Sequence, residues 1–400
     1  MQDNKHMKKK NFWISYVFLW MTCLMLIIMP VINIFQMEGD FLTSYEDIKS
    51  ANSNKLFGSY ITGQLVEHDQ KVDTGNAKSG EIVFKLFGFI PIRKLEVVMA
   101  DDDDYYIGGA PIGLSISTDG VIVISDEAGS CLKEGDIITE INGEKIDDVD
   151  DIERALSVGD EAEVTFLRKN KETRTLVKVL KEKDSLKLGL VVKDNITGVG
   201  TLTFVNKDTG EYGALGHAVV DEAGGNVVPV KDGKVYSCNL IGINKGQKNN
   251  PGQLRCLFLQ NGKNKGDIVS NGKFGINGTM KNVDGLVDEN LTAKLGGRLS
   301  VTPGKATIVS DISGIKEEYE IEIIKANYQK KANDKSLVFR VKDKRLLSLT
   351  GGIVQGMSGS PIMQNGKIVG AVTHVFLSDP TKGYGVYVDW MKTGTDTNCA

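Results

Sequence analysis

The sequence predicts a mostly β protein that follows one N-terminal apolar segment. Glycine is abundant at 45 residues and proline is scarce at 8. Val, Ile and Thr recur in short runs separated by Gly, Asn and Asp, which is typical of strands joined by tight turns. A chain of 400 residues is also too long for one compact core, so two or three domains and a tail are expected.

The N-terminal apolar segment covers residues 12–35, carries no charge and follows a basic stretch at 1–11. A helix of this length can cross a hydrocarbon core of about 30 Å. The positive flank should stay in the cytoplasm, which places the chain after Phe35 outside. A cleaved signal peptide is the alternative, but the run is long and lacks an obvious small-x-small cleavage site. We predict a cytoplasmic N-terminus at 1–11 and an uncleaved transmembrane signal anchor at 12–35.

The charge and cysteine content argue against nucleic-acid binding, a zinc site and a disulfide-rich fold. The 48 basic and 52 acidic residues nearly balance, and the basic residues form only short runs, so no nucleic-acid partner is expected. The five cysteines are odd in number and show no CxxC spacing, which argues against a zinc site or a dense disulfide framework. Cys238 and Cys256 could pair if their strands were adjacent, but buried free thiols are the favoured interpretation.

Residues 36–104 are predicted to be a tether with one β-hairpin. The chain up to about residue 80 is polar and mixed. Apolar runs at 81–87 and 94–99 then predict the two strands of the hairpin. The four aspartates at 101–104 are interpreted as a solvated loop, because the spacing of an EF-hand calcium site is missing.

Strands, one helix and tight turns alternate over residues 105–182, and this order resembles a PDZ domain. The segment 135–143, Gly-Asp-Ile-Ile-Thr-Glu-Ile-Asn-Gly, is very close to the signature of that family. The resemblance implies that a peptide adds to the sheet edge beside the helix, with amides around Ile112, Gly113 and Leu114 holding its carboxylate. Gly113 lets backbone N–H groups converge without a side chain between them; the alternative is that it serves only a tight turn.

A second motif is Gly356-Met357-Ser358-Gly359-Ser360-Pro361, the Gly-x-Ser-Gly-x-Pro pattern that trypsin-like peptidases use at the nucleophile. Two glycines let the backbone turn sharply, so that the N–H groups of Gly356 and Ser358 can point at a developing oxyanion. The Ser358 hydroxyl is then presented where a neutral histidine can take its proton.

Only four histidines can supply that base, unless a lysine serves instead. His6 precedes the apolar segment and His68 lies in the predicted tether. His217 sits between small residues at a strand end, as a catalytic histidine of a β-barrel protease does, although a surface histidine would look the same. His374 is interpreted as a structural or substrate-wall residue, so His217 is the predicted base.

From the anchor to about residue 390, the chain resembles the stage IV sporulation protein B (SpoIVB) peptidases of endospore-forming bacteria. The matching motifs include Gly-Ala-Leu-Gly-His at 213–217, Thr-Gly-Gly-Ile-Val-Gln-Gly-Met-Ser-Gly-Ser-Pro-Ile at 350–362 and Asp-Pro-Thr-Lys-Gly-Tyr-Gly-Val at 379–386. The resemblance implies a serine endopeptidase domain of the trypsin-like double β-barrel type at 184–400. It needs no cofactor, and no metal site is predicted.

The resemblance also implies a catalytic triad of Ser358, His217 and Asp343. Asp343 stands only 15 residues before Ser358, whereas trypsin-like enzymes place the acid much nearer the histidine in sequence. Its flanking lysines are also typical of an exposed turn. Asp221, four residues after His217, and Asp311 are the substitutes that the sequence offers.

Members of this family act between the forespore and the mother cell. The resemblance implies that the chain cleaves itself near its N-terminus and then cuts a membrane-bound regulator of an intramembrane protease, which allows a sigma factor to be processed during sporulation. We also expect the PDZ groove to bind the chain's own N-terminal region first. The alternatives are a PDZ adaptor with an inactive protease-like domain, or an extracytoplasmic quality-control protease, although those usually carry the protease before the PDZ domain.

Overall fold

The computed structural model describes residues 3–37, 42–71, 78–100, 103–127, 129–169, 171–182, 185–221, 225–258, 263–327 and 332–393. In these residues the chain is mostly β and begins with one long helix, as the sequence predicts. It divides into two compact units. The first contains the described residues up to Ala100 together with Gly296–Thr302, and the second contains most of the remainder.

The first unit combines the long helix with a four-stranded sheet. Its elements are α1 (Asp3–Gln36), β1 (Leu42–Thr43), α2 (Tyr45–Ser53), β2 (Ile61–Lys71), β3 (Lys78–Leu86), β4 (Ile90–Met99) and a 3-10 turn (Arg298–Ser300). The strand order is β1-β4-β3-β2, with β1 parallel to β4 and the other neighbours antiparallel. The segment Tyr16–Phe35 of α1 is long and apolar enough to cross a membrane.

The first unit contains more structure than the predicted tether. The hairpin expected at 81–99 is present as β3 and β4, but α2 and β2 precede it. Apolar side chains such as Ile48, Phe57 and Phe84 are buried together beneath the sheet. The sequence conceals this core because its apolar residues between positions 40 and 80 stand singly or in pairs among polar ones.

The second unit begins with a small β domain around one helix. Its elements are β5 (Tyr105–Ile107), β6 (Pro111–Asp126), β7 (Ile137–Ile141), β8 (Glu144–Lys145), α3 (Val149–Ala155), β9 (Glu161–Arg168), β10 (Lys171–Lys178), β11 (Leu180–Glu182) and β12 (Ser185–Lys187). Asn142 and Gly143 form the tight turn between β7 and β8 with φ of 53° and 80°, which suits an Asn-Gly pair. Asp148 and Asp151 form a capping box that starts α3.

The next part of the second unit adds further strands to a closed barrel. Its next elements are β13 (Leu190–Asn206), β14 (Glu211–Ala214), β15 (Asp232–Ser237), β16 (Asn239–Asn244), β17 (Gln253–Leu257), β18 (Gly266–Gly272), β19 (Gly275–Met280) and β20 (Thr292–Leu295). Strand β6 crosses between the two regions: it pairs with β13 on both sides of Gly120, with β15 before it and with β7 after it. The barrel core lies among these strands, with Ile112, Leu202 and Ile276 fully buried.

The last part of the second unit carries the predicted nucleophile. Its elements are β21 (Gly304–Ser310), β22 (Glu317–Ala326), β23 (Leu337–Val341), α4 (Lys344–Thr350), β24 (Pro361–Gln364), β25 (Lys367–Val375), β26 (Lys382–Tyr387) and α5 (Val388–Thr393). Alternating buried residues on these strands, including Tyr319, Phe339 and Ile362, form its core. Ser358 lies in the turn between α4 and β24.

Candidate active site

The turn that carries Ser358 depends on its two glycines. Gly356 and Gly359 have φ of 95° and 98°, a region that side-chain-bearing residues rarely adopt. A Cβ on Gly359 would also lie 2.0 Å from the Thr201 carbonyl oxygen. The sequence pattern around the serine is therefore a conformational requirement of this turn.

The turn that carries His217 packs directly on the serine turn. Leu215 and Gly216 both have positive φ, at 71° and 73°, and a leucine in that region is strained. A Cβ on Gly359 would lie 2.5 Å from the Leu215 nitrogen. The backbone thus brings the two turns as close as their atoms allow.

Strand β13 joins the two turns through backbone and hydroxyl contacts. The Thr201 N–H donates to the Ser358 carbonyl at 2.9 Å, and the Leu215 N–H donates to the Thr201 carbonyl at 3.2 Å. The hydroxyls of Thr201 and Thr203 each donate at 2.7 Å, to the carbonyls of Gly356 and Gly359 respectively. Thr201 therefore contacts both turns at once.

Two backbone donors in the serine turn are unused. Met357 and Gly359 donate their N–H groups to other carbonyls. In the part of the chain that the structure describes, the N–H groups of Gly356 and Ser358 make no such bond. These are the two amides that the sequence analysis assigns to the oxyanion hole.

The His217 imidazole is oriented by the backbone carbonyl of the next residue. Its Nδ1 atom lies 2.9 Å from the Ala218 carbonyl oxygen. Because a carbonyl oxygen only accepts, Nδ1 must carry the proton, and Nε2 of the neutral ring keeps its lone pair. This is the tautomer that a general base needs.

A second histidine lies next to His217. The rings of His217 and His374 are 5.3 Å apart between centroids, and the Ser358 hydroxyl donates at 2.8 Å to the carbonyl of Thr373, which precedes His374. Nε2 of His374 lies 3.7 Å from Oδ2 of Asp334. Burial, and then the neighbouring His217, lower the pKa of His374, so it is neutral near pH 7.

His217, His374 and Asp334 line a cavity of about 830 Å³. Its walls include His217, His374, Asp334 and Gln355, and a continuous stretch of β13 at 195–199. An extended stretch of strand along the wall of a cavity gives backbone groups that a peptide can pair with. The arrangement suits hydrolysis of a peptide bond in an extended segment.

Comparison with protein families assigns this region. A family model described as SpoIVB peptidase S55 matches residues 184–392, which is more than half of the chain. This chain belongs to the SpoIVB peptidase family. It is accordingly a serine endopeptidase that acts on protein or peptide substrates.

Two further comparisons concern the rest of this SpoIVB-family peptidase. A PDZ domain model matches residues 98–179, which confirms the PDZ domain that the sequence predicts. The PDZ domain of the SdrC-like protein from Listeria monocytogenes is similar at 24% identity, over 19% of this chain and 90% of that one, with a TM-score of 0.17. A search of curated proteins finds no match.

Asp343 lies at the start of α4 in this SpoIVB-family chain. Oδ1 accepts from the backbone N–H of Arg345 at 2.8 Å and of Leu346 at 3.3 Å, and Oδ2 lies 2.9 Å from the Arg345 guanidinium. Arg345 chiefly lowers the pKa of this carboxyl. Among the described residues, its hydrogen bonds and ion pairs do not include His217.

The two substitute acids have other surroundings. Asp221 lies on the cavity wall, is buried and accepts from the Asn226 N–H at 2.8 Å. Burial raises the pKa of Asp311 to about 6, and Lys316 opposes that shift.

The sequence analysis did not identify Asp334, which lies on the cavity wall beside His374. It lies in a polar run of Asn, Asp and Lys, and such a run gives no signal of a site.

The predicted peptide-binding residues of the PDZ domain need a correction. Ile112, Gly113 and Leu114 pair with β13 on one edge and with β15 on the other, and a Cβ on Gly113 would lie 2.2 Å from the Phe258 ring. They are buried in the barrel core and offer no open edge. Strand β6 bulges at 118–121, around Gly120 with its φ of 114°, and pairs with β13 on both sides of that bulge. Helix α3 packs against β12 and the start of β13.

The expectation for the cysteines is partly corrected. Cys256 lies on β17 and Cys238 directly precedes its partner strand β16, so the strands are adjacent. Both thiols are half-buried rather than buried. The Cys238 thiol donates a hydrogen bond to Cys256; this bond, and then burial, raise the pKa of Cys238, and the same bond lowers the pKa of Cys256. The structure describes both as free cysteines.

Proposed function

We propose that Ser358 is the nucleophile of this SpoIVB-family endopeptidase, that His217 is its general base and that Asp343 is its acid. The observation that supports the first two roles most directly is the packing of the Leu215-Gly216-His217 turn on the Ser358-Gly359 turn. Asp343 is proposed from the family resemblance of its sequence position.

In the proposed reaction, His217 Nε2 takes the proton of the Ser358 hydroxyl as its oxygen attacks the scissile carbonyl. The hydroxyl must first rotate away from the Thr373 carbonyl. The developing oxyanion is bound by the free N–H groups of Gly356 and Ser358. His217 then gives the proton to the departing amine, and a water molecule repeats the sequence to release the acyl group.

The proposed place of action is outside the cytoplasmic membrane, in the space between forespore and mother cell. The support is an apolar segment, Tyr16–Phe35, that follows a basic stretch, and a peptidase domain after it. We propose that residues 12–35 are retained as a signal anchor until the chain cleaves itself near its N-terminus. The later substrate is then a membrane-bound regulator of an intramembrane protease, whose loss triggers sigma-factor processing in sporulation.

We propose further that the PDZ domain first binds the N-terminal region of its own chain. Since Ile112, Gly113 and Leu114 have no open edge, the surface of α3 is the better place to test this. Val149 at its first turn is 38% exposed. Val149→Asp should change self-cleavage or targeting while Ser358 still reacts with a fluorophosphonate; unchanged behaviour in both assays removes the idea.

The decisive experiment compares Ser358→Ala with Ser360→Ala. Ser360 lies in the same turn, and its buried hydroxyl has no partner among the described residues. Ser358→Ala should abolish fluorophosphonate labelling and lower the rate of cleavage by about 10⁶, as loss of a serine nucleophile does. N-terminal sequencing of mature fragments from wild type and Ser360→Ala locates the self-cleavage sites, and Ser358→Ala should yield no such fragments. Ser360→Ala should keep labelling and processing.

An unlabelled wild-type protein would contradict the proposal and favour the adaptor with an inactive protease-like domain. Cleavage that persists in Ser358→Ala would move the nucleophile elsewhere. Labelled protein that fails to process its own N-terminus would keep the peptidase and remove only the self-cleavage.

A further inference from the structure

The first unit exposes a cluster of large apolar side chains at the tip of its hairpin. Phe89 is 71% exposed, Phe87 50%, Ile90 43% and the neighbouring Tyr60 47%. These four residues are called the aromatic tip below. The rings of Tyr60 and Phe87 are 5.7 Å apart, and the Phe87 N–H donates to the Tyr60 carbonyl at 2.6 Å. The tip is therefore one continuous surface.

The backbone of the tip is held in an unfavourable conformation. The turn uses Phe87 and Gly88, with φ of 55° and 81°. Asn-Gly is the usual pair for such a turn, and a phenylalanine with positive φ is strained. Strain at an exposed aromatic residue has no benefit for packing inside the unit, so it points to a role at the surface.

Two contacts place the tip along α1. A Cβ on Gly58, two residues before Tyr60, would lie 2.7 Å from the Pro30 Cβ atom. Further along the helix, Arg93 donates to the Ile34 carbonyl, and its guanidinium lies 5.8 Å from the Phe35 ring centroid. Going from Arg93 back to Ile90 along β4 therefore follows α1 toward its apolar part.

Helix α1 changes from exposed to buried between Met29 and Ile34. Ile34 is 2% exposed and belongs to the core beneath the sheet, whereas Met29 is 55% exposed. The apolar residues from 12 to 29 are then left to cross the bilayer, and at 1.5 Å per residue they span about 27 Å. The aromatic tip lies where that span ends.

We propose that the aromatic tip inserts into the interfacial layer of the same bilayer that α1 crosses. The Tyr60 side chain suits that layer because it has an apolar ring and a polar hydroxyl. The Phe87, Phe89 and Ile90 side chains are apolar and would be buried at the boundary between headgroups and acyl chains. Lys85 and Arg93 lie near the tip in sequence and suit anionic lipid headgroups, whereas Lys94 is paired with Glu81 at 2.7 Å. The sheet of the first unit is then attached to the membrane at two points. The inference rests on the proposed anchoring by α1.

The test uses the full chain in vesicles of phosphatidylcholine and phosphatidylglycerol that contain lipids brominated near the headgroup. Trp13 and Trp20 are replaced by Phe, and the buried Trp390 stays as a constant background. Phe89→Trp then reports on the tip. Glu96→Trp is the matched control, because this exposed site lies on the same strand, six residues or about 20 Å from Ile90.

The emission of Phe89→Trp should shift to shorter wavelength, be quenched by the brominated lipid and be protected from acrylamide. Glu96→Trp should be quenched by acrylamide only. Ile90→Trp gives the same test if the first variant does not fold. Protection from acrylamide without lipid quenching would mean that protein covers the tip, and quenching by acrylamide as in the control would mean that nothing does; either overturns the inference.

A separate arm keeps Trp20 and lacks Trp13. In this arm the lipids are brominated deep in the acyl chains, because Trp20 lies near the middle of residues 12–29. These lipids should quench Trp20 if α1 is inserted. Quenched Trp20 with an unquenched Phe89→Trp would overturn the aromatic tip and leave the anchor intact. Unquenched Trp20 would overturn both.

Discussion

Asp343 and Asp334 are both carboxylates of the peptidase region, and they have opposite surroundings. Asp343 accepts hydrogen bonds from the first turn of α4 and pairs with Arg345. Asp334 faces His374 on the wall of the cavity. The first matches the family in sequence position, and the second lies beside the histidines. Sequence position and spatial position thus point to different acids.

The difference between the two aspartates follows from the backbone hydrogen bonds that each segment of chain makes. A helix start leaves backbone N–H groups without partners, and an aspartate there is a good cap. Asp343 therefore has a sufficient structural reason to be where it is. Asp334 has its backbone carbonyl bound by the Thr373 hydroxyl at 2.7 Å, which fixes the loop against the strand that carries His374.

The largest expected effect comes from Asp343. Both Asp343→Asn and Asp343→Ala should lower the rate of peptide cleavage by about 10⁴ if the acid orients His217, as in the trypsin template. Asparagine caps a helix about as well as aspartate, whereas alanine loses about 0.5–2 kcal/mol of stability. The two variants therefore separate charge from capping. The measurements are kcat/KM and the free energy of unfolding.

A near wild-type rate in Asp343→Asn, together with a stability loss confined to Asp343→Ala, would make Asp343 a helix cap and remove it from the triad. The comparison would then turn to Asp334 and to the buried Asp221.

A smaller effect is expected from Asp334→Asn. Among the described residues Asp334 pairs with His374, which lies beside His217, so loss of its charge should lower kcat/KM by about tenfold, which corresponds to about 1.4 kcal/mol. His374→Gln should cost a similar amount, and the double variant should cost less than the product of the two. Effects that multiply would show that Asp334 does not act through His374. A loss of about 10⁴, the size expected for the acid, would make Asp334 the acid.

The smallest effect concerns pH and stability. The pKa of His374 is lowered in the folded chain, so the unfolded chain takes up that proton first as the pH falls below about 6.5. The stability due to neutral His374 is present above that value and is lost as the pH falls through the lower folded pKa. Thermal unfolding should show a steeper loss over this range in wild type than in His374→Gln. If stability fell equally steeply with pH in wild type and His374→Gln, the lowered pKa of His374 would be contradicted.

Asp311 changes the stability of the fold with pH in the opposite direction over part of the same range. Its pKa is raised to about 6, so its contribution is complete below its unfolded value and declines as the pH rises through about 6. Because it is present in both proteins, the difference between wild type and His374→Gln isolates the histidine.

The sequence by itself determined those features that depend on local backbone conformation and local pattern. The glycines around Ser358, the Asn142-Gly143 turn, the hairpin at 81–99 and the apolar helix are all such features, since φ preferences and hydrophobic patterns act over a few residues. The small stock of histidines then selected His217, which packs on the serine turn.

Only the tertiary structure decided which strand edges and which side chains meet. Strands β13 and β15 closed both edges of β6 at Ile112 and Leu114, although their local sequence is that of a peptide-binding loop. The meeting of His374 with Asp334, 40 residues apart, likewise depends on strands brought together by the barrel. Edge pairing and burial are set by residues distant in sequence, so no local pattern could have specified them.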